Sequence, residues 1–162
     1  MGRLQRGRRA TARLEVRRVG ALSGMADALS VRRRVFIEEQ GVPEALEIDR
    51  YDTDAASPEV VIHVVAYLDG EPVASGRLLL DAPAGEPAHI GRVAVLKQRR
   101  AEGIGRAVML ALHRFADERG CPGITLAAQL HAIGFYERLG YAQRGDVFLD
   151  AGIEHRWMDL SM

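Results

Sequence analysis

One stretch restricts this chain more than any other: Val93 to Ala107, which reads Val-Ala-Val-Leu-Lys-Gln-Arg-Arg-Ala-Glu-Gly-Ile-Gly-Arg-Ala. Its apolar, β-branched start predicts a strand. A basic turn follows, and Gly103 and Gly105 then open a helix whose Ile104, Val108, Ala111, Leu112 and Phe115 form one apolar stripe. The first turn of a helix has unpaired N–H donors and a partial positive charge. With Arg100 and Arg106 beside it, this turn suits a pyrophosphate.

The rest of the chain supplies neighbours for that strand. Arg13 to Val19 alternates polar and apolar residues and predicts a first strand. Ser23 can cap a helix from about Gly24 through Gln40. Strands are expected over Val60–Leu68 and Val73–Leu80, joined at Asp69-Gly70 by a type I′ turn. His89–Leu96 leads into the glycine turn. After its helix come a short strand at Ile124–Ala128 and a helix over Leu130–Leu139 that ends at Gly140. Two last strands, about Tyr141–Leu149 and Ile153–Leu160, meet around Asp150-Ala151-Gly152. The order β-α-loop-β-β-β-α-β-α-β-β is mixed α/β, and the helix crossovers near its end imply parallel pairing around the fifth strand.

A length of 162 residues suits one domain. Met1 to Thr11 carries Arg3, Arg6, Arg8 and Arg9 with little to bury, so it is read as a basic, disordered tail ahead of a single domain over 12–162. The 22 basic and 22 acidic residues cancel, so no whole-domain field draws the chain to nucleic acid or to a membrane. Cys121 stands alone and no Cys/His cluster has zinc spacing, which points to no disulfide, no metal and a reducing cytoplasm. The longest apolar run, Val60 to Leu68, is too short to span a bilayer and contains His63. No signal-peptide pattern is visible at the start.

Two acidic features have open readings. Glu38 and Glu39 sit in the last turn of the first expected helix, where acids oppose the dipole. They are either a solvated face or carboxylates facing a substrate amine. The loop from Glu47 to Pro58 carries Asp49, Asp52 and Asp54. It is either an ordinary solvated loop or an attractor for a cationic acceptor.

Arg100-Ala101-Glu102-Gly103-Ile104-Gly105 after Val93-Ala94-Val95 resembles the acetyl-CoA signature of the GNAT N-acetyltransferase superfamily, Gln/Arg-x-x-Gly-x-Gly/Ala after a Val-x-Val strand. One departure is Ala101, where many members carry glycine. Gln129-Leu130-His131-Ala132-Ile133-Gly134-Phe135-Tyr136-Glu137-Arg138-Leu139-Gly140-Tyr141 resembles a second hallmark, Asn-x-x-Ala-x-x-x-Tyr-x-x-x-Gly-Phe. Here Gln129 replaces the usual Asn and Tyr141 the usual Phe. With Glu39-Gln40-Gly41-Val42-Pro43, His63 and Gly152-Ile153-Glu154-His155, the chain looks closest to the ElaA-like branch.

The resemblance implies a mixed sheet of about seven strands, splayed between the fourth and fifth, with about four flanking helices. It also implies acetyl transfer from acetyl-CoA to a primary amine on a small molecule or peptide. Val93, Ala94 and Val95 would offer main-chain groups to the pantetheine and the thioester oxygen. Arg100, Ala101, Glu102, Gly103, Ile104, Gly105, Arg106 and Ala107 would hold the pyrophosphate, with Gln129 and Tyr136 also near the cofactor.

Tyr136 would be the general acid to the departing thiolate, or else a core aromatic on a face shared with Ala132 and Leu139. For the base, His63, Glu38, Glu39 and His155 are all candidates, as is a water chain. Two other classes compete: a non-catalytic acyl-CoA-binding module of the same fold, and a nucleic-acid-associated protein acting through the Arg-rich tail. An intact Tyr136 and cofactor loop argue against the first, and zero net charge against the second. The strand-rich C-terminus leaves room for a homodimer.

Overall fold

The computed structural model describes residues 12–20, 22–53 and 56–162. The basic tail and Asp54 lie outside the described residues. Seven strands form one sheet in the order β1-β2-β3-β4-β5-β7-β6. They are β1 (Leu14–Arg18), β2 (Val61–Leu68), β3 (Glu71–Leu79), β4 (Ala88–Val95), β5 (Gly123–Gln129), β6 (Ala142–Asp150) and β7 (Ile153–Ser161). Four α-helices accompany them: α1 (Leu22–Arg32), α2 (Glu44–Glu47), α3 (Ile104–Glu118) and α4 (Ile133–Arg138). The mixed α/β order read from the sequence is the observed one.

Turn chemistry sets the hairpins. Asp69 and Gly70 both take positive φ, 50° and 84°, which is the type I′ requirement, and Leu68 pairs with Glu71 across the turn. Ala151 and Gly152, at φ 50° and 76°, do the same between β6 and β7. All ladders are antiparallel except β4–β5, which is parallel.

Side chains alternate across the sheet, so Gly76 and Arg77 on β3 serve opposite faces. A Cβ on Gly76 would come 3.0 Å from both Val108 and Leu112 of α3, so the absent side chain is what lets α3 seat on the sheet. Arg77 instead reaches Asp49 and Asp52 in the segment after α2. The core between sheet and helices is aliphatic, with Val64, Leu78, Ile90, Val108, Leu112 and Leu126 all buried.

The first long helix departs from the expected one. It starts at Leu22, so Ser23 lies inside its first turn rather than capping it. From Arg33 to Glu39 it continues as a π-helix, with Gln40 N–H donating to Val35 O at 3.1 Å. The wider turn advances the helix face by one residue and ends a 3.6-residue periodicity.

Gly123 is a tight point in the β5–β7 ladder. A Cβ there would lie 2.8 Å from Leu160 O, a backbone atom that cannot swing away. Gly123→Ala is expected to cost about 1–3 kcal/mol. Urea unfolding should show this as a lower midpoint with an unchanged slope.

Candidate functional site

β4 and β5 pair only through Ala88–Ile124 and His89–Thr125, and then part. A cavity of about 870 Å³ lies in the gap. One wall is β4 from His89 to Val95, the other is Leu126, Ala127 and Gln129 of β5 with Tyr136 of α4 and His155 of β7. Ligands of open α/β sheets sit at such places, beyond the carboxyl ends of strands.

The β4 wall is bent by a bulge. Ser75 pairs with Ala94 but Arg77 pairs with Gly91, so Arg92 and Val93 together oppose Gly76. Arg92 holds φ +53°, a region non-glycine residues rarely adopt. Two interactions help hold it there: its guanidinium donates to the carbonyls of Leu46 and Glu47, at 3.2 Å each, and so ties the α2 segment to the sheet.

The glycine turn carries the other strained position. Ala101 has φ +64° and Gly103, the residue before α3, has φ +80°. Ala101 thus adopts the left-handed conformation that glycine would adopt without strain, at a cost of about 1–3 kcal/mol. No side chain caps α3, so its first N–H groups remain available. A Cβ at Gly105 would stand 3.4 Å from Phe135 and 3.5 Å from Val95, which marks Gly105 as the floor of a narrow cradle.

Of the sequence-expected cofactor residues, Val93, Ala94, Val95, Arg100, Ala101, Gly103, Ile104, Gly105, Gln129 and Tyr136 line the cavity. Glu102, Arg106 and Ala107 do not. Glu102 and Arg106 are exposed, and Glu102 stands 3.9 Å from Arg99.

The base candidates separate. His155 lines the cavity. Its Nδ1 lies 2.7 Å from Ile153 O, and a carbonyl only accepts, so Nδ1 carries a proton and donates it there. The ring stacks on Phe148 at 5.9 Å, and Phe148 stacks on Trp157 at 5.2 Å.

His63 is not brought to the cavity. It is buried on β2 with Nε2 2.8 Å from Tyr51 O, and burial lowers its pKa, keeping it neutral. Glu38 borders a separate recess of about 250 Å³ beside Arg34 and Lys97.

Glu39 is exposed, yet it is ion-paired rather than free to meet an amine. Both of its oxygens accept from Arg100, at 2.6 Å each, and Arg100 Nε donates to Val95 O at 3.1 Å. The Arg100 hydrogen bonds, more than burial opposes, hold the Glu39 carboxyl below its usual pKa. The next residue, Gln40, exchanges hydrogen bonds with Gln129 at 3.2 and 2.9 Å. Consecutive residues at the π-helix end thus reach both sides of the gap, the β4–α3 turn and the end of β5.

Tyr136 is buried, edge-on to Phe135 at 5.0 Å and Tyr141 at 5.8 Å. The Tyr141 hydroxyl lies 2.7 Å from His113 Nε2, which ties this aromatic group to α3. Burial raises the Tyr136 pKa to about 12.

The acidic loop differs from both sequence readings. Asp49 and Asp52, with Glu47, belong to a largely buried network with Arg32, Arg77 and Arg92. Glu47 is 4% exposed and lines the cavity, a position no local pattern marks. Among the described residues no His/Cys/Asp/Glu group could hold a metal, and no helix is long and apolar enough to cross a membrane.

The model of the Acetyltransferase (GNAT) family matches residues 26–141. The uncharacterised N-acetyltransferase YjcF of Bacillus subtilis is 37% identical over 135 residues, covering 83% of this chain and 90% of that one. The crystal structure of Escherichia coli ElaA superposes with a TM-score of 0.79 at 27% identity, over 92% of this chain and 100% of ElaA. An acyl-CoA N-acyltransferase from Pseudomonas aeruginosa gives 0.77 at 26% identity, over 93% and 100%. The match over residues 26–141 settles the lineage: the chain belongs to the GNAT acetyltransferase family, with ElaA among its relatives.

Proposed function

We propose that the protein transfers an acetyl group from acetyl-CoA directly to a primary amine. The observation that carries this reading is the one cavity lined by Val93–Val95, by the uncapped α3 start and, on the facing wall, by Tyr136. Its volume of about 870 Å³ and the cradle above Gly105 fit a long, phosphate-bearing co-substrate. Acetyl-CoA, when bound, supplies an acetyl group activated as a thioester.

The chain's own groups do the rest. Backbone N–H groups around Gly103 and Gly105 and the Arg100 guanidinium hold the diphosphate. Val93 and Val95 offer main-chain groups to the pantetheine and the thioester oxygen. His155 Nε2, whose tautomer Ile153 O fixes, takes a proton from the nitrogen after attack. Tyr136 gives a proton to the departing sulfur.

The test is turnover of acetyl-CoA with a panel of primary amines, read by free-thiol release and product mass. Gly105→Glu should weaken coenzyme A binding at least tenfold, about 1.4 kcal/mol. A carboxylate near a helix start suits the dipole, so the variant should stay folded. Calorimetry with unchanged affinity in the folded variant overturns the assignment of the loop. Tight binding with no thiol release for any amine favours a non-catalytic acyl-CoA-binding module.

A further inference from the structure

A primary amine at neutral pH is an ammonium, and acetylation removes two of its protons. The first must leave before the nitrogen can attack, and the second leaves the nitrogen after attack. His155 serves the second. Nothing assigned so far receives the first.

Glu47 is placed to do so. It is the last residue of α2, its side chain is 5% exposed, and it lines the same cavity as Tyr136 and His155. Oε1 accepts from Arg32 Nε at 2.8 Å. Oε2 stands 3.3 Å from Arg92 Nε. A carboxylate offers about four lone-pair sites, so these contacts leave acceptor capacity for a third donor.

The position is also rigid. The Glu47 carbonyl accepts from Arg32 Nη2 at 2.7 Å and from Arg92 Nε at 3.2 Å. A preorganised carboxylate costs no reorganisation when the amine arrives.

Resting on the acetyltransfer reading, we propose that Glu47 binds the acceptor's ammonium and takes its first proton. The N–H bond breaks toward Oε2, a carboxyl O–H forms, and the nitrogen keeps the electron pair with which it attacks the thioester carbon. The carboxyl later returns its proton to water. The groups facing Glu47 are Arg32 from α1, Arg92 from β4 and Arg77 from β3, all cationic. Burial raises the Glu47 pKa against their opposing pull.

The experiment compares Glu47→Gln and Glu47→Asp with the unmodified protein, using phenethylamine, butylamine, cadaverine and a lysine peptide amide. Gln keeps the shape and an oxygen for Arg32 Nε but cannot take a proton. On the best of these amines, Glu47→Gln should lower kcat/KM by at least 100-fold and lose the acidic limb of the pH–rate profile. Coenzyme A affinity by calorimetry should stay within twofold. Glu47→Asp keeps the charge and should recover at least tenfold of the lost rate, a rescue that a purely structural role would not give.

Should Glu47→Gln fail to fold, the Asp variant with a normal melt and an unchanged pH profile would support the assignment. A folded Asp variant that has lost the limb would overturn it. Equal kcat/KM in Glu47→Gln overturns the role of Glu47 alone. No turnover of any amine by the unmodified protein overturns the acetyltransfer reading and this proposal with it.

Discussion

Arg32→Met should cost about 3–5 kcal/mol of stability, the penalty for breaking a buried ion pair from one side. Arg32 is 2% exposed and makes four donations: to Glu47 Oε1 and O, and to both oxygens of Asp52 at 2.6 and 2.9 Å. Methionine fills much of the volume but takes the Arg32 donors and their charge away from two buried carboxylates and a carbonyl. Against a typical total of about 5–15 kcal/mol, that is a large share. Urea unfolding at pH 7 measures it.

The pH dependence has a definite sign. Burial alone would raise the Asp52 pKa, but hydrogen bonds from Arg32 and from Asp49 N–H, with Arg77 nearby, hold it at about 2. A carboxyl whose folded pKa is depressed adds stability that is complete above its unfolded value and is lost as pH falls, here from about 4 toward 2. Glu47, raised by burial, has the opposite sign and acts in a separate window above its unfolded value of 4.5, where its contribution is lost as pH rises. In Arg32→Met the Asp52 carboxyl keeps Asp49 N–H and Arg77 but loses Arg32, so it is held down less and the deficit narrows as pH falls through the Asp52 window.

Tyr136→Phe should lower kcat by about 10²-fold with little change in KM. The ring keeps its contacts with Phe135 and Tyr141, and only the hydroxyl goes. An interaction made only in the transition state appears in kcat and not in substrate binding. With its pKa raised to about 12, the phenol carries its proton across the whole neutral range, as a donor to a thiolate must. A core-aromatic role alone predicts the reverse: a lower melting temperature and normal turnover. Steady-state rates with thermal melts on the purified variant decide between them.

The sequence was most informative where chemistry is local. A strand, a basic turn and two glycines are neighbours in the chain, and so are Asp69 and Gly70 in their hairpin. Their conformations follow from residues in hand. Partnerships over distance were illegible. Glu39 could be recognised as an acid working against its helix dipole, but its counter-charge, Arg100, lies 61 residues away. Asp52 could be read only as part of an acidic loop, because Arg32 and Arg77 come from a helix and a strand 20 and 25 residues off.

The π-turn hid the partners of Glu39 and Gln40 in the same way. A pattern built on 3.6 residues per turn places Glu39 and Gln40 by extrapolation, and one extra residue in the turn redirects both. Tyr136 was legible through its hallmark motif, and His155 as an imidazole in the expected last strand. That His63 would instead bond Tyr51 O depended on where the 50–53 segment folds back.

The short β4–β5 contact makes this sheet behave as two plates on a hinge. Each plate has its own complete ladders, β1 to β4 on one side and β5 to β7 on the other, and only the residue pairs at Ala88 and His89 join their backbones. The opening angle can therefore change without breaking a hydrogen bond inside either plate. Side chains bridge the gap instead, among them the Glu39–Arg100 and Gln40–Gln129 ties that run from one helix end to the two plates and the His89–Trp157 ring contact. A chain built this way can be retuned for a wider or narrower guest by exchanging a few long polar residues, with the folding core left as it was.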